Sequence, residues 1–206
     1  MALIDISPAF QAGMPGWPGD TPFQAERSWA IGPGCPVNVS RITLSSHVGA
    51  HADAPLHFEA DGRAIDAMPL ERYIGPCHLV DARGGDGPIQ PERVLPALPA
   101  QVERVLIRQY EHYPETWDAG LRGLSPALVE ALADRGCRLI GVDAASVDPT
   151  DSKTLDAHHA IERRGIAIIE GLVLDHVAPG PYELIAPPLR IAGCDAAPLR
   201  AVLRTL

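Results

Sequence analysis

Eleven residues constrain this chain more than any others: His47-Val48-Gly49-Ala50-His51-Ala52-Asp53-Ala54-Pro55-Leu56-His57. Three imidazoles and one carboxylate share the window with Gly49 and Pro55. Neither a core nor a solvated surface needs that density. Neutral imidazole and carboxylate are the common ligands for zinc, manganese and iron. Small residues at 49, 50, 52 and 54 let the backbone wrap closely around an ion. Gly49 and Pro55 make a long helix unfavourable. A strand end or tight loop is expected instead, and on a strand His51 and Asp53 share a face. The cluster points to a metal site, and so to hydrolytic or redox chemistry.

A second group lies about a hundred residues on. His158-His159 falls on an expected helix, Leu155 to Arg164, closed by Gly165. Glu170 interrupts the apolar run Ile166 to Leu174. An acid inside such a run is costly unless it is paired or binds a cation. With the first cluster, the candidate ligands exceed what one catalytic zinc needs. Two nearby metals is the natural reading. His78, His112 and His176 stand alone and read as structural or surface residues. Arg83-Gly84-Gly85-Asp86-Gly87-Pro88 lacks the Lys-Ser/Thr ending of a phosphate loop and reads as a turn. No G-x-S-x-G supports a serine nucleophile.

The pattern along the chain predicts an α/β fold in one domain, residues 1–206. Leu3 to Ser7 reads as a short strand and Gly13 to Pro22 as a loop centred on Trp17. Phe23 to Ile31 and Val37 to Ser45 read as extended segments. Further strands are expected at Cys77 to Ala82, Arg104 to Gln109, Arg138 to Val142 and Ile166 to Leu174. Helices are expected at Pro91 to Leu98 and from Ser125-Pro126 to about Arg135. Ser is a good N-cap, Pro suits the first turn, and Gly136 stops the second of these helices.

Bulk properties exclude several classes. A formal net charge of −9 argues against nucleic-acid or anionic-membrane surfaces. No apolar run approaches a membrane span. The start, Met1-Ala2-Leu3-Ile4-Asp5-Ile6, lacks the basic and apolar regions of a signal peptide. The four cysteines, 35, 77, 137 and 194, are widely spaced and read as reduced thiols of a cytoplasmic protein.

The motif His47-x-Gly49-x-His51-x-Asp53-Ala54-Pro55-x-His57 resembles the signature of the cyclase family of metal-dependent hydrolases. Supporting pieces run almost end to end. They are Ile4-Asp5-Ile6-Ser7, Gly16-Trp17-Pro18-Gly19-Asp20, Ile140 to Asp143 with Ser146, Ser152 to His158, and Ile169-Glu170-Gly171-Leu172. The resemblance implies a mixed sheet or barrel-like β core with flanking helices, and a homodimer or larger assembly. It also implies two divalent ions per subunit, zinc first and manganese as an alternative. By position, His47, His51 and Asp53 would hold one ion, and Asp53 would bridge to the second. His158 would hold the second and Glu170 would contact both, with His159 left as the alternative to His158. His57 would be the general acid/base, and Trp17 would contact a small aromatic formamide substrate. The branch most resembled implies hydrolysis of N-formyl-L-kynurenine to L-kynurenine and formate. One departure is Ala50, where the broader family often has Thr.

Three rivals stand beside this reading. The first is a related hydrolase acting on a cyclic amide such as isatin. The second is a mononuclear iron oxygenase, since His51-x-Asp53 with a distant His resembles a facial triad. The third is a non-catalytic metal-binding protein, which leaves His57 and Trp17 without a task.

Overall fold

The computed structural model describes residues 1–206. The strands are β1 (Leu3–Asp5), β2 (Gln24–Trp29), β3 (Val39–Thr43), β4 (His51–Asp53), β5 (Ile74–Asp81), β6 (Arg104–Arg108), β7 (Leu139–Val142), β8 (Ala167–Glu170), β9 (Gly180–Ile185), β10 (Ala196–Pro198) and β11 (Val202–Thr205). The α-helices are α1 (Pro91–Val94), α2 (Pro126–Asp134) and α3 (Asp156–Arg163).

Nine strands form one sheet in the order β1-β11-β9-β5-β6-β7-β8-β4-β10, and β2 with β3 forms a separate hairpin. β5 to β8 run parallel, and every other neighbouring pair is antiparallel. One connection dictates the shape of the large sheet. β10 and β11 lie seven places apart in the strand order, yet only Leu199, Arg200 and Ala201 join them. Such a link reaches at most about 14 Å, whereas seven strand spacings in a flat sheet would span about 34 Å. The sheet therefore curls until its ends approach. Backbone bonds from Leu199 to Ala50 and from Ile6 to Ala201 tie that link to both ends. The outcome is the mixed, barrel-like α/β architecture expected above, and not the jelly roll that an iron-oxygenase reading predicts.

Apolar packing follows on both sides of the curl. Outside, α2 and α3 lay Leu128, Leu132, Ala160 and Ile161 against Ile107 and Ile140. Inside, Leu79, Leu106, Leu139 and Ile169 meet Ala52, Leu184 and Leu203. The central parallel strands are buried on both faces, which is why Arg104–Arg108 and Leu139–Val142 are buried throughout. Truncating one of these leucines to Ala is worth about 2–5 kcal/mol. Helix α2 starts as its sequence dictates: the Ser125 hydroxyl accepts the Leu128 N–H at 3.1 Å, and Pro126 sits in the first turn.

Two expected segments differ, and three strands are unforeseen. The run Ile166 to Leu174 is not one strand: β8 ends at Glu170, because Gly171 adopts φ +67° and turns the chain. Pro91 to Leu98 is a single α turn followed by a 3-10 turn at Leu95–Ala97. β9, β10 and β11 are absent from the sequence reading altogether. Two of them are three or four residues long, and β9 opens on Gly180-Pro181, which reads as a turn.

Candidate active site

Strand β4 is three residues long and fully buried. Its two-residue period points Ala52 into the inner core and turns His51 and Asp53 to the opposite face. β4 pairs antiparallel with β8, with His51 directly opposite Glu170. Ala50 also belongs to the inner core, so the departure at that position lies behind the site.

The loop before β4 needs its glycines. Gly49 has φ +67°, and its carbonyl accepts the His51 Nδ1–H at 2.9 Å. Gly171 crosses it so closely that an added Cβ would lie 2.3 Å from the Gly49 oxygen. A carbonyl only accepts, so His51 Nδ1 carries a proton, and in the neutral ring Nε2 presents a lone pair. That lone pair stands 3.4 Å from Asp53 Oδ1 and 3.4 Å from Glu170 Oε2.

His158 repeats the arrangement from the other side. Its Nδ1–H donates to Asp148 Oδ2 at 2.7 Å. Nε2 then faces Asp53 Oδ2 at 3.6 Å and Glu170 Oε1 at 3.8 Å. Asp148 also accepts the backbone N–H groups of Ala157 and His158, both at 3.0 Å, and so caps the start of α3. One carboxylate therefore fixes both the helix and its imidazole. The adjacent His159 points elsewhere, 3.0 Å from the exposed Glu59.

The remaining groups close the ring. His47 Nδ1 lies 3.1 Å from Asp53 Oδ1, and its Nε2 lies 2.9 Å from Asp195 Oδ2. His57 Nδ1 lies 3.4 Å from the same Asp195 oxygen, and the His47 and His57 ring centroids are 4.1 Å apart. Glu170 Oε1 accepts the Val147 N–H at 2.8 Å. The structure thus brings together His47, His51, Asp53, His57, His158 and Glu170 from three separated stretches of chain.

Electrostatics show what this cage wants. His51 Nε2, His158 Nε2 and both Asp53 oxygens are buried without a hydrogen-bond partner. Buried lone pairs facing buried lone pairs are costly unless a cation lies among them. Burial alone would lower His51, but Asp53 and Glu170 raise it to about 10. Burial opposes His158 likewise, and Asp148 and Asp53 raise it to about 10. Burial would raise Asp53, yet His158, His47 and His51 hold it well below the carboxylate range. The site demands positive charge, met by protons on His51 and His158 when no ion is bound, and its nitrogen and oxygen donors suit a divalent ion that would replace those protons. Triplets such as His47, His51 and Asp53 present ligand atoms within 4.8 Å of one another.

Above the cage is a cavity of about 340 Å³, large enough for a small aromatic molecule. Trp17 lines it and meets Trp117 edge to face, with centroids 4.9 Å apart. Tyr110 and Tyr113 extend the aromatic wall. Asp143 forms part of the lining and accepts the Gln109 and Tyr110 N–H groups; burial pushes it up to about 7. Sequence reasoning missed Asp148, Asp195 and Trp117. Each is an isolated residue of ordinary context, and only strand register and loop packing bring it to the site.

Comparisons with known proteins identify the family and the fold. The Cyclase family model matches residues 4–149. The chain is 55% identical to a kynurenine formamidase from Maricaulis maris over 205 residues, 99% of this chain and 98% of that protein. A solved structure described as a potential metal-dependent hydrolase with cyclase activity has a TM-score of 0.84 and 28% identity, over 98% of this chain and 96% of that one. Isatin hydrolase A from Labrenzia aggregata, bound to benzyl benzoate, also has a TM-score of 0.84. Its 22% identity, over 100% of this chain and 94% of that one, makes it a likeness of fold alone. The chain belongs to the Cyclase family, and within it to the kynurenine formamidase group.

Proposed function

We propose that this chain hydrolyses N-formyl-L-kynurenine to L-kynurenine and formate. The observation that carries the reading is the set of partnerless buried lone pairs on His51, His158 and Asp53 at the floor of an aromatic-walled cavity. His47, His51 and Asp53 would hold one divalent ion, and Asp53, His158 and Glu170 a second, with Glu170 reaching both. Zinc fits this borderline donor set best, with manganese the alternative. When bound, such ions supply Lewis acidity, lowering the pKa of water and polarising a carbonyl oxygen.

The protein's own groups supply the rest. Trp17 and Trp117 give apolar ring surface for the aryl group of the substrate. Cleavage of the amide C–N bond would expel a costly anilide anion unless its nitrogen gains a proton. His57 is partly exposed at the cavity and makes no protein hydrogen bond through Nε2, so that nitrogen is free to take a proton from the attacking water and pass it to the leaving nitrogen. His51 and His158 keep fixed tautomers through Gly49 and Asp148, so their lone pairs stay aimed without reorganisation.

The same reading makes the chain a cytoplasmic homodimer. None of its four cysteines is in a disulfide, and no helix is long and apolar enough to cross a membrane. The β2–β3 hairpin, with Trp29, Val39 and Ile42 exposed, is the surface proposed to meet the second copy.

The test is formate release from formylkynurenine by purified protein, with and without chelator, beside a parallel assay on isatin. Chelator-sensitive release from formylkynurenine supports the reading. Turnover of isatin alone would move the chain to its cyclic-amide rival.

A further inference from the structure

One carboxylate outside the eleven-residue cluster touches two of its imidazoles. β10 pairs antiparallel with β4, Ala196 opposite Asp53, and the Asp195 carbonyl accepts the Ala54 N–H at 2.8 Å. Sheet register thus parks Asp195 beside the short turn that carries His57. Its Oδ1 accepts the Ser46 hydroxyl at 3.2 Å. Its Oδ2 meets His47 Nε2 at 2.9 Å and His57 Nδ1 at 3.4 Å.

An ionised carboxylate has no proton to give, so a ring nitrogen bonded to it must be the donor. His47 then carries its proton on Nε2 and turns the Nδ1 lone pair to Asp53. His57 carries its proton on Nδ1 and leaves Nε2 open. Without such an anchor, an imidazole samples both tautomers and both ring flips, and only part of that population is competent.

We propose that Asp195 is a positioning residue that acts through His57, holding it as the Nδ1–H tautomer with Nε2 free to exchange a proton with substrate. The same oxygen ties this orientation to His47, so the proton carrier and a candidate metal ligand move as one unit. The inference rests on the reading of His57 as the acid/base group.

The test is a double-mutant cycle with a spectroscopic arm. Asp195→Asn keeps the shape but replaces one accepting oxygen by a donating NH2. We expect kcat to fall about 10–100-fold, the usual cost of losing such an orienting partner, with KM unchanged. Asp195→Glu should recover part of the loss. Asp195→Asn added to His57→Ala should cost nothing further, because both changes remove one function. Nitrogen-15 NMR of the imidazoles should show His57 as the Nδ1–H form in the parent chain and a mixture in Asp195→Asn. Additive losses would overturn the proposal. So would an unchanged His57 tautomer with activity lost only in proportion to bound metal, which would make Asp195 a support for His47 alone. Should the parent chain release no formate, the functional reading fails, while the NMR measurement still decides the role of Asp195.

Discussion

Strand β4 and the β2–β3 hairpin break the same rule in opposite directions. β4 buries a histidine and an aspartate completely within three residues. The hairpin exposes all eleven of its strand residues, among them Trp29, Val39 and Ile42. Folding favours neither arrangement: buried charge is costly without partners, and exposed large apolar groups forgo burial. β4 tolerates its charges because imidazoles and carboxylates face one another, an arrangement that a bound cation would complete. The hairpin, a two-stranded ribbon of marginal stability by itself, has no such internal remedy. Its exposed apolar residues make it the surface proposed to meet a second copy. Departures from the inside-outside rule therefore point to two roles, chemistry at β4 and, as proposed above, association at the hairpin.

The largest expected effect comes from removing the carboxylate at the end of β4. Asp53→Ala removes the carboxylate that faces His47, His51 and His158. Metal should be lost outright, and turnover should fall far beyond the ~100-fold cost of an outer-shell partner. Elemental analysis beside the formate assay checks both. A loaded and active variant would break the claim that β4 buries its charges for a cation.

His57→Ala separates proton transfer from metal binding. Metal content should stay at the parent level while kcat drops by about 10²–10⁴-fold, the range for general acid–base groups. Loss of metal along with activity would instead make His57 a ligand.

A subtler change reaches the site through the backbone. In Gly171→Ala the new Cβ would lie 2.3 Å from the Gly49 oxygen, at a residue with φ +67°. That oxygen anchors His51 Nδ1. We expect about 1–3 kcal/mol of destabilisation from the strained backbone, with weaker metal affinity. Thermal unfolding and metal titration measure the two together. A stable variant that loads metal normally would show that the crossing of Gly171 over Gly49 is not what aims His51.

These variants also show where the sequence was readable. The eleven-residue motif was legible because β4 has a period of two and every other residue is chemical. Glu170 was legible because an acid in Ile166 to Leu174 needs a reason. Asp148 and Asp195 were not: each stands alone in its own stretch and gains its role from α3 or from the β4–β10 register. The core strands β5 to β8 announced themselves as apolar runs between helices. β10 and β11 are too short to show a period, and they hold the key to the curl of the sheet. Local pattern thus reveals groups clustered by one element, while groups assembled across the fold need the topology.

The smallest effect on the isolated chain should come from the hairpin, and it is the sharpest probe of the comparison. Trp29→Ser with Ile42→Ser touches no buried contact, so the unfolding free energy of one chain should shift by no more than about 0.5 kcal/mol. Turnover per chain should persist, since neither residue lines the cavity. The Glu26–Arg41 ion pair between the same strands is exposed and contributes at most about 1 kcal/mol, so it cannot substitute for apolar contact in holding two copies together. Sedimentation should then show the parent chain as a dimer and the double variant as a monomer at equal concentration. If the variant remains dimeric, the association surface lies elsewhere and the exposed ribbon needs another partner. If it becomes monomeric but loses turnover as well, the two regions are coupled, and the second copy supports the site as well as the hairpin.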